Sequence, residues 1–136
     1  MRVVLDTNVF VSSFFGGNPR KIIDPWKTGG IVICLSEEIL EEYLRVLGRL
    51  RVSAPALAEL LNLFKIGENI VFAETPEKVE IVPEDTSDDK FIECALSAGA
   101  EFIVSGDQHL LKLGNFRKVR ILSPARFLEA LENQED

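Results

Sequence analysis

The sequence predicts an α/β domain built on a parallel sheet with helices covering both of its faces. Three observations carry this prediction. "RVVL" (2–5) reads as a short, fully buried strand, and "IVICL" (31–35), "EFIVS" (101–105) and "KVRIL" (118–122) are further β-rich runs bounded by polar or glycine residues. Between them lie helix-like stretches over about 8–15, 19–28, 36–50, 53–66 and 88–99, with a C-terminal "PARFLEALEN". Strands that alternate with helices pair in parallel and need cover on both sides. Finally, 136 residues at 46% hydrophobic content suit one domain, spanning 1–136, with an ample core.

Taken in order, the first strand runs straight into an apolar stretch, "VFVSSFF", interrupted only by Asp6, Thr7 and Asn8. Ser36 is a credible cap for "EEILEEYLRVLGRL", with Glu37 and Glu38 in the first turn, and Gly48 suggests that this helix weakens or stops there. Ile39, Tyr43, Val46 and Leu50 form one side of its predicted buried face, with Glu42 roughly 40° from Val46 at the border and Glu41 on the opposite border. "VSAPALAELLNLFKIG" opens on Ser53 as a cap and closes on Gly67; its apolar residues suit either the core or an interface. "AETPEKVEIVPEDTSDD" (73–89) is the polar, proline-bearing connection, in which "VEIV" can add an edge strand. No repeat or low-complexity tract points to a second domain.

A formal charge of −7 argues against a broad basic surface that binds nucleic acid through phosphates alone. It leaves room for a basic groove, since Arg45, Arg49 and Arg51 cluster in one segment and Arg117, Lys118 and Arg120 in another. Cys34 and Cys94 sit in apolar neighbourhoods and read as buried thiols of a reducing compartment. With the single His109 they form no zinc constellation. The chain opens on a strand-like run without a small-residue cleavage site, and no apolar stretch approaches the roughly 18 residues that span a bilayer, so a cytosolic protein is expected.

In a parallel sheet the ligand site lies beyond the carboxyl ends of the strands. Asp6 follows "VVL" and Asp107 follows "FIVSG", so both reach one edge if those strands are parallel neighbours. Asp88 and Asp89 open the helix leading into the Asp107 strand, and "EEILEEYL" supplies glutamates after the second strand. Plain structural readings exist: Asp88 and Asp89 can complement a helix dipole behind Thr86 or Ser87, worth about 0.3–1 kcal/mol per acid, and Asp107 can cap "QHLLKLG". Asp6 fits a cap less well, because a cap requires neither the apolar strand before it nor the apolar run after it. Carboxylates that converge repel one another, and a divalent cation with oxygen ligands relieves the repulsion. Magnesium or manganese suits an all-oxygen set, whereas zinc would want histidines or cysteines. Such ions activate water and steady a phosphoryl charge, which is hydrolysis without a protein nucleophile. No Gly-x-Ser-x-Gly elbow or Cys–His pair competes, and His109 reads more simply as an exposed histidine.

"VVLDTNVFVSSFF", "LSEEILEEYLRVL", "EDTSDDKFIECALSAGAEFIVSGDQHLL" and "ILSPARFL", in this order and spacing, resemble a PIN-domain protein of the toxin–antitoxin toxin group along essentially the whole chain. The resemblance implies a three-layer α/β/α sandwich with a central, mainly parallel sheet, and a Mg2+- or Mn2+-dependent endoribonuclease of the cytoplasm. It maps the family's acids onto Asp6, Glu42, Asp89 and Asp107. By the same mapping Asp6, Asp89 and Asp107 would hold metal, Glu42 would complete the pocket or hold the ion through water, and Asn8 and Ser105 would orient the carboxylates. Alignment, not periodicity, picks Asp89 over Asp88, and the six-residue spacing from Ser36 picks Glu42 over Glu41. Gln108 and His109 depart from the Lys-Asp pair that many relatives carry. The implied partners are an RNA substrate, an antitoxin protein and a second copy of the chain, with no membrane.

Other classes fit less well. A haloacid-dehalogenase phosphatase needs a second aspartate two residues after the first, where Asn8 stands, and a receiver domain needs an aspartate after the middle strand, where "IVICLSEE" offers none. The standing alternative is a catalytically inactive PIN fold that binds RNA or protein.

Overall fold

The computed structural model of the protein describes residues 1–15, 20–74, 77–78 and 88–134. Their elements follow in the order β1 (Arg2–Leu5), α1 (Thr7–Phe15), α2 (Arg20–Thr28), β2 (Val32–Ser36), α3 (Glu37–Leu50), α4 (Ala54–Ile66) and β3 (Ile70–Ala73). The second half continues as α5 (Asp89–Ala98), β4 (Phe102–Val104), α6 (Gln108–Leu113), β5 (Asn115–Phe116), β6 (Val119–Leu122) and α7 (Pro124–Gln134). The sheet order is β3-β2-β1-β4-β6-β5, parallel throughout except for β5, which folds back antiparallel on β6.

Consecutive residues of the central strands are buried: Val3, Val4 and Leu5 in β1, and Phe102, Ile103 and Val104 in β4. Neighbouring side chains on a strand point to opposite faces, so both faces must be covered. The chain moves outward from β1 to β2 and β3 through α1–α4, then returns through α5 to β4 on the other side of β1. Right-handed crossovers therefore set α5 on the face opposite α1–α4. Contacts agree, with α1 packed on α2, α3 and α4, and α5 laid across β1, β2, β3 and β4. This is an α/β/α sandwich. On the α1–α4 face Phe10 stacks on Tyr43 at 4.0 Å and Phe14 meets Trp26 edge-on at 6.0 Å, pinning the first helices over the sheet.

The capping expectations for α3 and α4 hold: Ser36 and Ser53 accept from the N–H groups of Ile39 and Ala56, each at 3.3 Å, and Gly67 closes α4 at φ 70°. Gly48 does not stop α3, which runs on to Leu50 and ends at Arg51 in the left-handed region. The buried line of α3 is Ile39, Tyr43 and Leu47, while Leu50 is 54% exposed. Two strands were not expected. β3 is a four-residue apolar run between Asn69 and Glu74, and β5 is a two-residue partner of β6 across a tight turn with Arg117 at φ 54°. The expected "VEIV" strand and the Thr86 and Ser87 caps fall outside the described residues. Cys34 and Cys94 are buried, and burial pushes their thiols up to about 11 and about 12 respectively. No helix among the described residues is long and apolar enough to cross a membrane.

Candidate active site

The strand order reverses between β1 and β4, and at such a switch point the connections leave in opposite directions and open a crevice at the carboxyl ends of the strands. Asp6 stands at the end of β1 and Asp107 three residues past β4. A cleft of about 460 Å³ opens there, lined by Asp6, Thr7, Asn8, Glu42, Asp88 and Asp107 on its acidic side and by Arg45 and Arg49 on the wall formed by α3.

Asp6 does two jobs. Its Oδ1 accepts from the Val9 N–H at 2.8 Å, capping α1, and its Oδ2 accepts from the Ser105 hydroxyl. The sequence-based argument that Asp6 is a poor cap is thus corrected: the helix starts at the very next residue, and the carboxylate closes its first turn. The side chain is only 6% exposed, and burial raises its pKa, with the charge of Asp107 adding to the effect. Hydrogen bonds from Ser105, Val9 and Gly106 offset only part of that rise. Ser105 is fully buried and links both acids, because its Oγ also accepts from the Asp107 N–H at 2.9 Å. Asp107 in turn caps α6, its Oδ1 accepting from the His109 N–H at 2.7 Å. His109 itself is part exposed, with Nδ1 3.7 Å from that carboxylate.

Glu42 is presented by α3. Its Oε2 accepts from the Thr7 hydroxyl, and its Oε1 lies 2.8 Å from Lys90 Nζ. Burial would raise its pKa, but the hydrogen bonds from Lys90 and Thr7 and the charges of Lys90 and Arg45 outweigh it and hold the carboxyl below the ordinary range. Glu41, one residue earlier, is exposed. Tyr43 anchors the same turn of α3, its hydroxyl donating to the Leu5 carbonyl at the very end of β1.

The adjacent aspartates part company. Asp88 holds the cap position of α5 without a side-chain hydrogen bond to the helix, and it lines the cleft. Asp89 is 4% exposed and is not among the residues lining the cleft. The structure therefore gathers Asp6, Asn8, Glu42 and Asp107 of the expected set around one cavity and backs them with Ser105; Asp88 lines that cavity, and buried Asp89 follows it as the first residue of α5. Thr7, Tyr43 and Lys90 escaped sequence reasoning. A signal existed for two of them: Thr7 sits between Asp6 and Asn8, and Lys90 is a lone cation heading an apolar helix.

Residues 2–109, from β1 through both aspartate turns to His109, match the family described as PIN domain. The chain belongs to the PIN-domain family. PIN domains are generally nucleases that use divalent metals, which makes a hydrolase the coarse assignment. The chain is also 28% identical over 144 aligned positions to the Uncharacterized protein MJ1680 of Methanocaldococcus jannaschii, covering 97% of this chain and 92% of the relative.

Among the described residues, no three His, Cys, Asp or Glu side chains form a ready-made metal cage. The donors of this PIN domain nonetheless suit a hard divalent ion. They are all carboxylate oxygens, and a cation bound among them would offset the cost of burying Asp6 close to Asp107. Mg2+ keeps several waters and takes one or two carboxylates, so it does not need an all-protein cage.

Proposed function

We propose that the protein is a Mg2+- or Mn2+-dependent endoribonuclease of the toxin type, with Asp6 and Asp107 holding the ion together with an aspartate of the Asp88–Asp89 pair that opens α5, and Glu42 completing the pocket. The observation that carries this reading is the convergence of four acids from four separate parts of the chain on one cleft at the switch point, faced by Arg45 and Arg49. When bound, the ion would acidify the attacking water and neutralise charge on the phosphoryl group. The chain does the rest. Ser105 fixes the rotamer of Asp6 and the turn carrying Asp107, so the two carboxylates keep one spacing. Tyr43 ties α3 to the end of β1, which holds Glu42 in register with Asp6. Arg45 and Arg49 offer the positive wall that an RNA backbone needs beside four acids, and their guanidinium groups suit phosphate.

Incubation of the purified protein with single-stranded RNA tests the proposal. Cleavage should require Mg2+ or Mn2+, stop with chelator, and disappear in Asp107→Asn. RNA binding without metal-dependent cleavage would favour the inactive PIN-fold binding module, and with it a role for the chain as scaffold.

A further inference from the structure

Lys90 lies in the first turn of α5 and reaches across to α3, where its Nζ sits 2.8 Å from Glu42 Oε1. The lysine side chain is 11% exposed and that of Glu42 23%, so the pair is largely removed from water. Ion pairs in such positions are weakly screened and keep one geometry, and separating them strands a charge in a poorly solvated place. The other oxygen of Glu42 accepts from Thr7, which leaves the carboxylate gripped at both ends. Asp6 and Asp107 are treated differently: they accept from backbone N–H groups and, for Asp6, the Ser105 hydroxyl. Those neutral donors orient the carboxylates without cancelling their charge. A cation entering the cleft meets at Asp6 and Asp107 carboxylates that, among the described residues, no lysine or arginine pairs and only the His109 ring approaches, 3.7 Å from Asp107, but at Glu42 it meets a carboxylate that already holds an ammonium.

We propose that the Lys90 ammonium, paired with the cleft-lining Glu42, is a resident cation that takes there the place of a second metal ion, so that the site binds a single divalent ion at Asp6, Asp107 and the start of α5. This rests on the metal-dependent reading given above and adds to it a stoichiometry and a role for a residue of α5. Lys90 is then a positioning residue: it holds Glu42 beside the ion and keeps it from ligating. A lysine that merely stapled α5 to α3 would also stabilise the fold, but it would not set the number of ions bound.

The test is calorimetric titration of the metal-free full-length chain with Mn2+, with bound ions counted independently by electron paramagnetic resonance. The wild type should bind one Mn2+ per chain. Glu42→Gln should leave that affinity within about threefold, whereas Asp6→Asn should weaken it by at least about tenfold. Lys90→Met frees Glu42 and should add a second, weaker site, while Lys90→Arg should keep the count at one. Two ions bound by the wild type, or a tenfold loss in Glu42→Gln, would overturn the inference while leaving the metal-dependent reading intact. A folded Lys90→Met that still binds one ion with unchanged affinity would overturn it as well. Should Lys90→Met fail to fold, the wild-type count and Glu42→Gln decide. A wild type that binds no Mn2+ would overturn both this inference and the metal-dependent reading.

Discussion

Replacing Asp6 with asparagine separates the two jobs of this side chain. Asparagine keeps a carbonyl oxygen for the Val9 N–H, and asparagine and aspartate cap helices about equally well, so the start of α1 should survive. What disappears is the charge, together with the acceptor that Oδ2 offers the Ser105 hydroxyl. Because burial and then Asp107 raise the folded-state pKa of Asp6 above its ordinary 3.8, the folded protein binds this proton more tightly than the unfolded chain does. The sign follows: Asp6 costs nothing below the unfolded value, and its destabilising effect grows as pH rises through the folded pKa. Each unit of rise corresponds to about 1.4 kcal/mol. Metal-free Asp6→Asn should therefore be as stable as wild type at pH 7 or more so, and its stability should vary less with pH above 4. Asp6→Ala removes the cap as well and should fall about 1 kcal/mol below Asp6→Asn, or roughly 4 °C in Tm for a domain of this size. With Mn2+ at about a hundred times its Kd the wild type should gain about 2.7 kcal/mol, and Asp6→Asn, its affinity weakened at least about tenfold, should gain no more than about 1.4 kcal/mol. Thermal unfolding in chelator and in Mn2+, across pH 4–8, measures all of this. If Asp6→Asn were as unstable as Asp6→Ala in chelator, the carboxylate would be satisfied and not repelled, and the argument would fail. A metal-induced shift retained in full in Asp6→Asn would remove Asp6 from the ligands.

The neighbouring acids give two paired comparisons. Glu42→Gln should lower metal-dependent RNA cleavage at least about tenfold, a loss of about 1.4 kcal/mol of transition-state stabilisation, while exposed Glu41→Gln changes it little; equal rates or the reverse ranking would unseat Glu42. Asp88→Asn should weaken both Mn2+ binding and cleavage, whereas Asp89→Asn, buried away from the cleft lining, should change unfolding more than metal affinity; titration of both variants decides which aspartate faces the ion. Arg45→Gln and Arg49→Gln should each reduce the slope of log affinity against log salt for single-stranded RNA by about 0.7, measured by fluorescence anisotropy. Arg117→Gln, at the turn between β5 and β6, is the control and should leave the slope unchanged.

Much of this protein was legible locally. Runs of apolar, β-rich residues mark β1, β2, β4 and β6 because a strand buried on both faces needs no partner's identity to be recognised, and Ser36, Ser53 and Gly67 mark helix ends because caps act within four residues. The positions of Asp6 and Asp107 after their strands followed from the same reading. Elements whose stability is non-local were hidden. β5 exists only as a partner for β6, and the four residues of β3 are too short for periodicity to separate strand from helix. The site divides in the same way. Sequence spacing led to the turns of chain that border the cleft, but choosing between Asp88 and Asp89 depends on where α5 begins and how it is rotated over the sheet, since one residue turns the side chain by about 100°. The contacts of Thr7 and Lys90 with Glu42, and of Tyr43 with Leu5, join residues remote in sequence that meet only because β2 pairs beside β1 and α5 crosses back over the sheet. Composition and local pattern thus determined which carboxylates could meet; the packing of α3 and α5 around the switch point decided which of them face the cleft and which already hold a cation.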